Sequence, residues 1–185
     1  MNSKKRSQGL AARRSLNAAE RKLASEKISN KVISSREFHA ASFIACYLPM
    51  NDEVDPRKII ARAWRANKRV FCPVMGKSSE MVFRYLGEDT TLVRNSFGLW
   101  EPADSEMISP RELDLVITPL VAFDGSNNRI GMGGGYFDRC FSFLRHRQFW
   151  ISPKLLGVAF ACQEVEEIEP NPWDIRLYDV YVETN

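Results

Sequence analysis

Short, nearly continuous apolar runs recur along the chain, separated by longer segments in which apolar residues return at helical spacing. The runs cover residues 42–48, 69–74, 81–86, 113–121, 155–160 and 180–183. A strand that is buried on both faces reads as such a run, whereas a half-exposed strand alternates between apolar and polar residues. The pattern therefore predicts six strands, most of them in a parallel sheet.

The first 36 residues have the pattern of a helix that is interrupted once. Residues 3–36 read as helical with a break near residues 15–17, because Asn17 is followed three positions later by Glu20, the arrangement of a capping box. Beyond the break, helical spacing relates four apolar residues, which predicts a buried stripe formed by Leu23, Ile28, Val32 and Ile33.

Two further helices are predicted, one opened by Pro56 and ending near residue 66, the other covering residues 138–146. The strand–helix–strand succession over residues 42–74 indicates a parallel pair with a right-handed crossover. The sequence thus predicts an α/β fold: a single domain over residues 1–185 with a mainly parallel central sheet and helices on both faces. Ligands of such sheets bind at the carboxyl ends of the strands.

The composition is that of a soluble globular protein, with 44% hydrophobic and 26% charged residues among 185. The most apolar run, residues 115–123, is too short to span a membrane, and no apolar segment follows the basic start as in a signal peptide. A cytoplasmic protein is therefore expected. Four scattered cysteines without a Cys-x-x-Cys pair indicate buried thiols in a reducing compartment: Cys46, Cys72, Cys140 and Cys162.

Only two histidines are present, His39 and His146, which counts against a histidine-dependent hydrolase. The net charge of +3 is spread unevenly, since seven Lys or Arg residues and a single acid lie in the first 22 positions. Such a segment is a nucleic-acid arm, a solvated helix face, or a helix that closes over a polyanionic ligand. No aromatic residue is interleaved for base stacking, so no nucleic-acid partner is expected.

The most informative motif is the glycine-rich run Arg-Ile-Gly-Met-Gly-Gly-Gly-Tyr-Phe-Asp-Arg at residues 129–139. A glycine loop that leads into a helix offers free backbone N–H groups for phosphate. Arg129 and Arg139 can pair with phosphate, and Asp138 can hold a magnesium ion. The run lacks the Gly-Lys-Ser/Thr of a P-loop, and a polar turn separates it from the preceding strand, unlike a dinucleotide fingerprint. The alternative is a surface turn without a ligand.

Several segments resemble one family in the same order: the basic helical start, residues 47–55, residues 101–102, residues 114–124, the glycine run, and residues 173–175 with 179–180. The chain resembles the 5-formyltetrahydrofolate cyclo-ligases, also called 5,10-methenyltetrahydrofolate synthetases, nearly end to end. The block 114–139 is the most specific match. The resemblance implies an enzyme that uses ATP and Mg²⁺ to phosphorylate the formyl oxygen of 5-formyltetrahydrofolate. Attack by N10 then closes the ring to 5,10-methenyltetrahydrofolate, and ADP and phosphate are released.

The resemblance also implies residue roles. Arg129 and Asp138 would be catalytic, and Asp138 and Asp174 would hold the metal. The ATP-binding set would be Lys4, Lys5, Arg6, Arg129, Ile130, Gly131, Met132, Gly133, Gly134, Gly135, Tyr136 and Phe137. The folate-binding set would be Leu48, Met50, Glu53, Met132, Gly133, Gly134, Gly135 and Tyr136. In competing readings, Asp138 is a helix N-cap, Asp174 begins a turn, Glu53 is a solvated loop charge, and Leu48, Met50 and Tyr136 are core residues.

Two positions depart from the family pattern. Many members carry a Lys four residues before an N-terminal Arg that binds ATP, but here Asn2 stands at the Lys position and Arg6 at the Arg position, so Lys4 or Lys5 would substitute. Some relatives also have a Lys where this chain has Gly134, which leaves one cation fewer for the phosphates. The alternative functions are a kinase or ligase of this fold with another acceptor, or a non-catalytic folate- or nucleotide-binding protein. A monomer or weak homodimer is expected.

Overall fold

The computed structural model describes residues 2–50, 52–76, 80–95, 98–146 and 152–184 of the 185-residue chain. Within these ranges the α-helices are α1 (Asn2–Ser15), α2 (Ala18–Ser34), α3 (Arg36–Ala40), α4 (Arg57–Arg65) and α5 (Tyr136–Cys140), with 3-10 helices at Ser142–His146 and Ala161–Gln163. The strands are β1 (Phe43–Ala45), β2 (Arg69–Met75), β3 (Met81–Tyr85), β4 (Leu92–Arg94), β5 (Trp100–Pro102), β6 (Met107–Ile108), β7 (Leu115–Pro119), β8 (Ala122–Phe123), β9 (Arg129–Ile130), β10 (Lys154–Val158) and β11 (Asp179–Tyr181).

Seven strands form the central sheet, in the order β11-β10-β7-β1-β2-β3-β6. The first five run parallel, and β3 and β6 add an antiparallel edge. Two small hairpins, β4–β5 and β8–β9, lie outside this sheet. The predicted mainly parallel sheet is therefore confirmed, and the parallel pair β1–β2 corresponds to the predicted strand–helix–strand unit. Because β1 and β7 are parallel neighbours, the loops that follow them leave the same edge of the sheet.

Successive residues of the central strands point to opposite faces and fill two separate cores. Ile44, Ile117 and Leu156 pack on one face with α2, α3 and α4, through residues such as Ile28, Val32, Phe38, Ile59 and Ile60. Their neighbours Ala45, Val116 and Leu155 pack on the other face with α5 and the following 3-10 helix, through residues such as Phe137, Cys140, Phe141, Phe143 and Leu144. Helices thus cover both faces, as the near-continuous apolar runs predict.

The interruption of the N-terminal helix is at the predicted place. The side chain of Asn17 accepts hydrogen bonds from the N–H groups of Ala19 and Glu20, and the carboxylate of Glu20 accepts from the N–H of Asn17. The predicted stripe on α2 is wrong at one position, since Leu23 is 57% exposed whereas Ile28 and Val32 are buried. Helical spacing alone does not determine burial, because burial also depends on which side of the helix the rest of the chain packs against.

Other boundaries differ from the predictions where backbone geometry changes. The run 113–121 is not one strand, because β7 ends at Pro119 and the chain then turns to form β8. The helix predicted from Asp138 begins two residues earlier, at Tyr136, and continues after Cys140 as a 3-10 helix to His146. The prediction of buried thiols is wrong for Cys162, which is exposed, whereas Cys46 and Cys72 are buried and Cys140 is intermediate. None of the described helices is long and apolar enough to cross a membrane.

Candidate active site at the carboxyl edge of the sheet

Two loops that leave neighbouring parallel strands build the candidate site. The loop after β1 carries Leu48, Met50 and Glu53, and the segment after β7 forms the β8–β9 hairpin and the glycine loop, residues 131–135. The predicted edge location is thus present for both loops. Helix α1 lies across this edge and contacts both segments, as described below.

Glycine is required at two positions of the glycine loop by backbone conformation. Gly133 has φ +104° and Gly135 has φ +63°, values that other residues adopt at a cost. No backbone N–H of residues 131–135 donates a hydrogen bond to an acceptor in the described part of the chain. Five consecutive donors are therefore available to an anion. Gly134 is also close to an aromatic ring, because a Cβ there would lie 2.5 Å from Cε2 of Tyr136.

The loop is held in place from its N-terminal side by a buried carboxylate. Asp124 accepts hydrogen bonds from the N–H groups of Ser126, Asn128 and Ile168 at 2.8–3.0 Å and from the Asn128 amide at 3.0 Å. Burial raises the pKa of Asp124, but these hydrogen bonds outweigh it and hold the pKa below its ordinary value. An ionised Asp124 therefore fixes the turn from which the glycine loop emerges.

An ion pair closes the other side of the loop. Nη2 of Arg129 lies 2.7 Å from Oδ1 of Asp138, and the same oxygen accepts the N–H of Ile175 at 3.0 Å. Nη1 of Arg129 donates to the Ile175 carbonyl. Asp138 lies inside α5, whose N-cap position is Gly135, so the reading of Asp138 as an N-cap is wrong. The two residues predicted to be catalytic are thus in direct contact and share one backbone partner.

Asp174 precedes the backbone group that Asp138 binds. Its Oδ2 accepts the backbone N–H of Asn171 at 2.8 Å and the Asn171 amide at 3.1 Å, which stabilises the turn there. The competing reading of Asp174 as a turn residue therefore has a structural basis. The side chain is partly exposed and lines a cleft of about 490 Å³ together with Ile175 and Tyr178.

The fit of these carboxylates to Mg²⁺ follows from their remaining oxygens. Oδ2 of Asp138 and Oδ1 of Asp174 accept no hydrogen bond from any described residue. Among the residues that the structure describes, no three His, Cys, Asp or Glu side chains group to hold a metal ion. Protein-bound Mg²⁺ often uses only one or two carboxylates together with substrate phosphates and water. Two partly exposed carboxylates close to the glycine loop fit that mode of binding.

A cleft of about 1180 Å³ opens beside the loop after β1. Leu48, Met50 and Glu53 line it, together with Ser25 and Ser29 of α2 and Leu92 and Trp100 of the β4–β5 hairpin. Basic side chains stand along it as well, namely Arg21, Lys22, Arg57 and Lys58. Six of the fifteen lining residues are apolar and nine are polar or charged, so the cleft offers an apolar wall and many charged contacts to one ligand.

Glu53 is oriented before any ligand arrives. Its Oε2 accepts the N–H of Met50 at 3.0 Å, and Nη1 of Arg13 lies 3.6 Å from its Oε1. Burial raises the pKa of Glu53; the Met50 N–H and the Arg13 charge lower it, Asp52 raises it, and the net direction is upward. The carboxylate is nearly buried, so it is not a solvated loop charge.

Helix α1 connects the glycine loop to this cleft. Nε of Arg6 donates to the Gly131 carbonyl at 2.9 Å, and one turn later Gly9 packs directly against the β7–β8 backbone. Two turns after Arg6, Arg13 reaches the loop that carries Glu53. Of the two lysines, Lys5 bonds the Glu167 carbonyl and Lys4 is exposed. Arg6 is therefore the N-terminal cation that the structure places at the glycine loop.

The pattern of the 5-formyltetrahydrofolate cyclo-ligase family matches residues 1–183. The chain belongs to this family. A Haemophilus influenzae 5-formyltetrahydrofolate cyclo-ligase is 35% identical over 175 residues, covering 92% of this chain and 91% of the relative. The mouse 5-formyltetrahydrofolate cyclo-ligase is 30% identical over 182 residues, covering 92% of this chain and 87% of the relative. The solved structure of Aquifex aeolicus 5,10-methenyltetrahydrofolate synthetase superimposes with a TM-score of 0.85 at 28% identity, covering all of this chain and 90% of that one.

Not every residue implied by the cyclo-ligase resemblance presents its side chain to the edge. Ile130 is buried beside Ala122 and Ile168, so it can offer only backbone groups to a ligand. Phe137 is half-buried and stacks on Phe141. Met132 is exposed at the tip of the glycine loop. Tyr136 is half-buried, with the guanidinium of Arg139 5.0 Å from its ring centre, and neither it nor the glycine loop lines the large cleft.

Reasoning from sequence missed two contributions to the site of this cyclo-ligase family member. Arg13 belongs to the basic N-terminal segment, in which the sequence pattern assigned no role to this residue. It lies seven residues after Arg6 and therefore on the same face of a helix. That spacing was the available signal. The second contribution is the wall formed by Trp100 and Leu92, which sits on a hairpin in a region with no regular apolar pattern.

Proposed function

We propose that this chain converts 5-formyltetrahydrofolate to 5,10-methenyltetrahydrofolate with ATP, releasing ADP and phosphate. One arrangement supports the proposal: the glycine loop and the loop that carries Glu53 follow two neighbouring parallel strands. The cyclo-ligase family matches the same chain over residues 1–183. A kinase with a different acceptor would not need Glu53 beside an apolar wall, and a binding protein would not need the Arg129–Asp138 pair. Free thiols fit a reducing compartment, so we place the reaction in the cytoplasm.

ATP would lie with its phosphates on the glycine loop. The free N–H groups of residues 131–135 would donate to phosphate oxygens, and Arg6 would turn from the Gly131 carbonyl to the same oxygens. Arg129 stands at the end of the loop, held by Asp138 and Ile175, where it would neutralise charge on the phosphoryl group in transfer. Positioning and charge stabilisation account for most catalysis in phosphoryl transfer.

Asp138 and Asp174 would hold Mg²⁺ through the carboxylate oxygens that have no partner among the described residues. When bound, the metal would offset negative charge on the phosphates. Arg129 would hold the Asp138 carboxylate in place whether or not the metal is present, because its guanidinium donates to the other oxygen of that carboxylate.

The folate would occupy the cleft beside the loop after β1. Leu48 and Met50 would contact the faces of the pterin, and Glu53 would accept hydrogen bonds from its N–H groups. The formyl group would then point along α1 toward the glycine loop. Arg6 and Arg13, which contact the two ends of this path, lie seven residues and so about 10 Å apart along the helix.

The chemistry needs no nucleophile from the protein. The formyl oxygen attacks the γ-phosphorus, the bond to the bridging oxygen breaks, and ADP leaves with that electron pair. N10 then attacks the activated carbon and loses its proton, and the carbon–oxygen bond breaks to release phosphate. The product holds N5 and N10 in one amidinium ring. Both nucleophiles belong to the substrate, which agrees with a site built from donors, cations and carboxylates.

The first test is the near-ultraviolet absorbance of methenyl folate. Purified protein is mixed with 5-formyltetrahydrofolate, ATP and Mg²⁺, and each component is omitted in turn. The proposal expects a rise in absorbance that needs all of them and is matched mole for mole by ADP. If ADP forms without methenyl folate, a different acceptor is indicated; if folate binds and nothing turns over, the chain is a binding protein.

A further inference from the structure

Arg13 is the least expected charged residue in the structure. It is 2% exposed, although arginine is seldom fully buried unless it is paired. Its Nη2 lies 3.1 Å from Oδ1 of Asp52 and its Nη1 lies 3.6 Å from Oε1 of Glu53. It comes from α1, whereas both carboxylates come from the loop after β1, so the cluster joins two separate elements.

The buried ion-pair cluster contributes little to holding α1 against the loop after β1. A buried ion pair seldom stabilises a fold more than apolar residues of the same volume, because the desolvation of the charges offsets their attraction. Here part of the desolvation cost is not compensated, because the buried Nε–H of Arg13 donates a hydrogen bond to no group among the described residues. Gly9, one turn earlier, already brings α1 into direct contact with the β7–β8 backbone. The charge of Arg13 therefore calls for a role beyond docking.

The geometry at Glu53 supplies that role. The carboxylate is clamped from two sides, with Met50 N–H on Oε2 and Arg13 facing Oε1, and it lines the large cleft. Burial alone favours its protonated form, and a protonated carboxyl has an O–H donor on one oxygen, so it could not receive a pair of N–H donors on both oxygens. Arg13 is the cation that opposes this effect.

We propose that Arg13 is a positioning residue that holds the Glu53 carboxylate ionised and aimed at the pterin N–H groups of the folate. The proposal rests on the proposed function, because it takes Glu53 as the residue that receives the pterin. Arg13 itself touches no substrate. The same helix, α1, also places Arg6 at the glycine loop. One element therefore positions a cation for ATP and, through Arg13, a carboxylate for folate.

The charged and titratable groups around Glu53 belong to its ion-pair cluster or line its cleft, and they come from α1, α2, α4 and the loop after β1. They are Arg13 and Arg14 of α1, Arg21, Lys22 and Glu26 of α2, Tyr47, Asp52 and Asp55 of its own loop, and Arg57 and Lys58 of α4. Arg57 is engaged by Asp55 at 2.5 Å, and Tyr47 donates its hydroxyl to the Val54 carbonyl. Arg13 is thus the cation in this group for which the structure shows an ion pair with Glu53.

The test compares Arg13→Met and Arg13→Lys with the matched control Arg14→Met, in the full chain. Arg14 is the next residue of the helix and also reaches Asp52, at 3.5 Å, but its side chain is 69% exposed. The readouts are the Kd for 5-formyltetrahydrofolate by calorimetry without ATP, the KM values for folate and ATP, and the melting temperature. We expect Arg13→Met to weaken folate binding by roughly tenfold, the loss of a hydrogen bond to a charged group, with the KM for ATP little changed.

The pH dependence separates positioning from docking. In Arg13→Met, folate affinity should fall further as the pH goes from slightly alkaline to slightly acidic, whereas the wild-type chain and Arg14→Met should stay nearly flat. Arg13→Lys, which keeps the charge without the planar fork, should recover part of the affinity and the flat profile. An Arg13→Met loss that is independent of pH and equal for both substrates would overturn the proposal.

A cycle of Glu53→Gln with Arg13→Lys provides a second route where Arg13→Met is poorly folded, because Arg13→Lys keeps the buried positive charge. With Glu53 already neutral, adding Arg13→Lys should cause little further loss of folate affinity, because the two residues act as one unit. Additive losses in this cycle would contradict positioning. If the wild-type chain binds folate but shows no turnover, the proposed reaction is contradicted and this inference still holds. If the wild-type chain does not bind folate, the inference is overturned.

Discussion

Arg129 and Asp138 face each other at the end of the glycine loop, with 2.7 Å between Nη2 and Oδ1, and both also bond the backbone of Ile175. The guanidinium is almost completely buried and the carboxylate is partly exposed. The arginine is therefore fixed by the protein, and one carboxylate oxygen is left toward solvent. The pair is preorganised, which is the property that makes a charged site effective in a reaction.

The first prediction concerns the charge of this pair. Asp138→Asn keeps an oxygen for Ile175 and Arg129 but removes the negative charge, and Arg129→Ala removes the cation. Each is expected to lower kcat by at least roughly a hundredfold, as for other groups that stabilise developing charge. The measurement is steady-state methenyl folate formation, with circular dichroism to verify the fold.

Asp104→Asn is the matched control, because the Asp104 carboxylate is fully exposed and, among the described residues, pairs with Arg84 alone. It should leave kcat within a factor of about two, since exposed pairs contribute little. Near-wild-type turnover in a folded Asp138→Asn protein would remove Asp138 from the reaction.

The second prediction ranks the N-terminal cations. Arg6 bonds the Gly131 carbonyl, Lys5 bonds the Glu167 carbonyl, and Lys4 is exposed. Replacing each by Met should raise the KM for ATP most at Arg6, by roughly tenfold, and much less at Lys5 and Lys4, because Arg6 is the one of the three that bonds the glycine loop. The KM for folate should move little in all three. Equal effects at Arg6 and Lys4 would contradict this ranking.

The central sheet could be predicted from sequence because a strand buried on both faces has a near-continuous apolar run, as at residues 155–160, observed as β10. The glycine loop could be located because its conformation demands glycine at positions 133 and 135. The capping box at Asn17 was visible for a similar reason, since its partners are three residues apart. Local chemistry leaves a local signature.

Features that depend on distant contacts had no such signature. Leu23 has helical apolar spacing but is exposed, and Arg13 looks like any surface arginine until α1 lies against the loop after β1. The β4–β5 hairpin is short and largely exposed, so its residues carry no alternation that would distinguish them from a loop. Tertiary packing, rather than propensity, decided each of these positions.

The third prediction tests the docking of α1. A Cβ at Gly9 would lie 2.3 Å from the Val121 carbonyl oxygen, which belongs to the backbone and cannot rotate away. Gly9→Ala should therefore lower the melting temperature, although Ala favours a helix by about 1 kcal/mol over Gly. Because α1 carries both Arg6 and Arg13, the KM values for ATP and for folate should rise together.

Gln8→Ala is the control for this change, since Gln8 is the exposed neighbour of Gly9 on the same helix. It should leave both KM values unchanged and the melting temperature equal or slightly higher. A Gly9→Ala protein that is more stable than the wild type would show that α1 is not seated on the β7–β8 backbone.

The fourth prediction is a pH dependence of stability. Burial raises the pKa of Asp124, yet its hydrogen bonds from Asn128, Ile168 and Ser126 outweigh it, so the folded-state pKa lies below the ordinary value of 3.8. A carboxylate of this kind contributes stability above its unfolded pKa, and that contribution is lost as the pH falls through the folded pKa. Asp124→Asn should be less stable than the wild type at neutral pH by about 1–3 kcal/mol.

The gap between the two proteins should close as the pH falls below 3.8, which denaturant unfolding at a series of pH values would measure. Asp89 is exposed, so Asp89→Asn serves as the control, and its free energy of unfolding should equal that of the wild type at every pH. A constant difference between Asp124→Asn and the wild type across the whole range would mean that the charge of Asp124 does not contribute.

Trp100 gives this protein an optical reporter that needs no label. Trp100 is 48% exposed and lines the large cleft, and Trp173, also exposed, precedes Asp174 in the chain. A ligand that fills the cleft would cover the first ring, and one that reaches Asp174 would lie near the second. Because the chain has four tryptophans, each signal would be obtained by subtracting the emission of Trp100→Phe or of Trp173→Phe from that of the wild type. The order in which folate and ATP arrive could then be followed in a stopped-flow instrument.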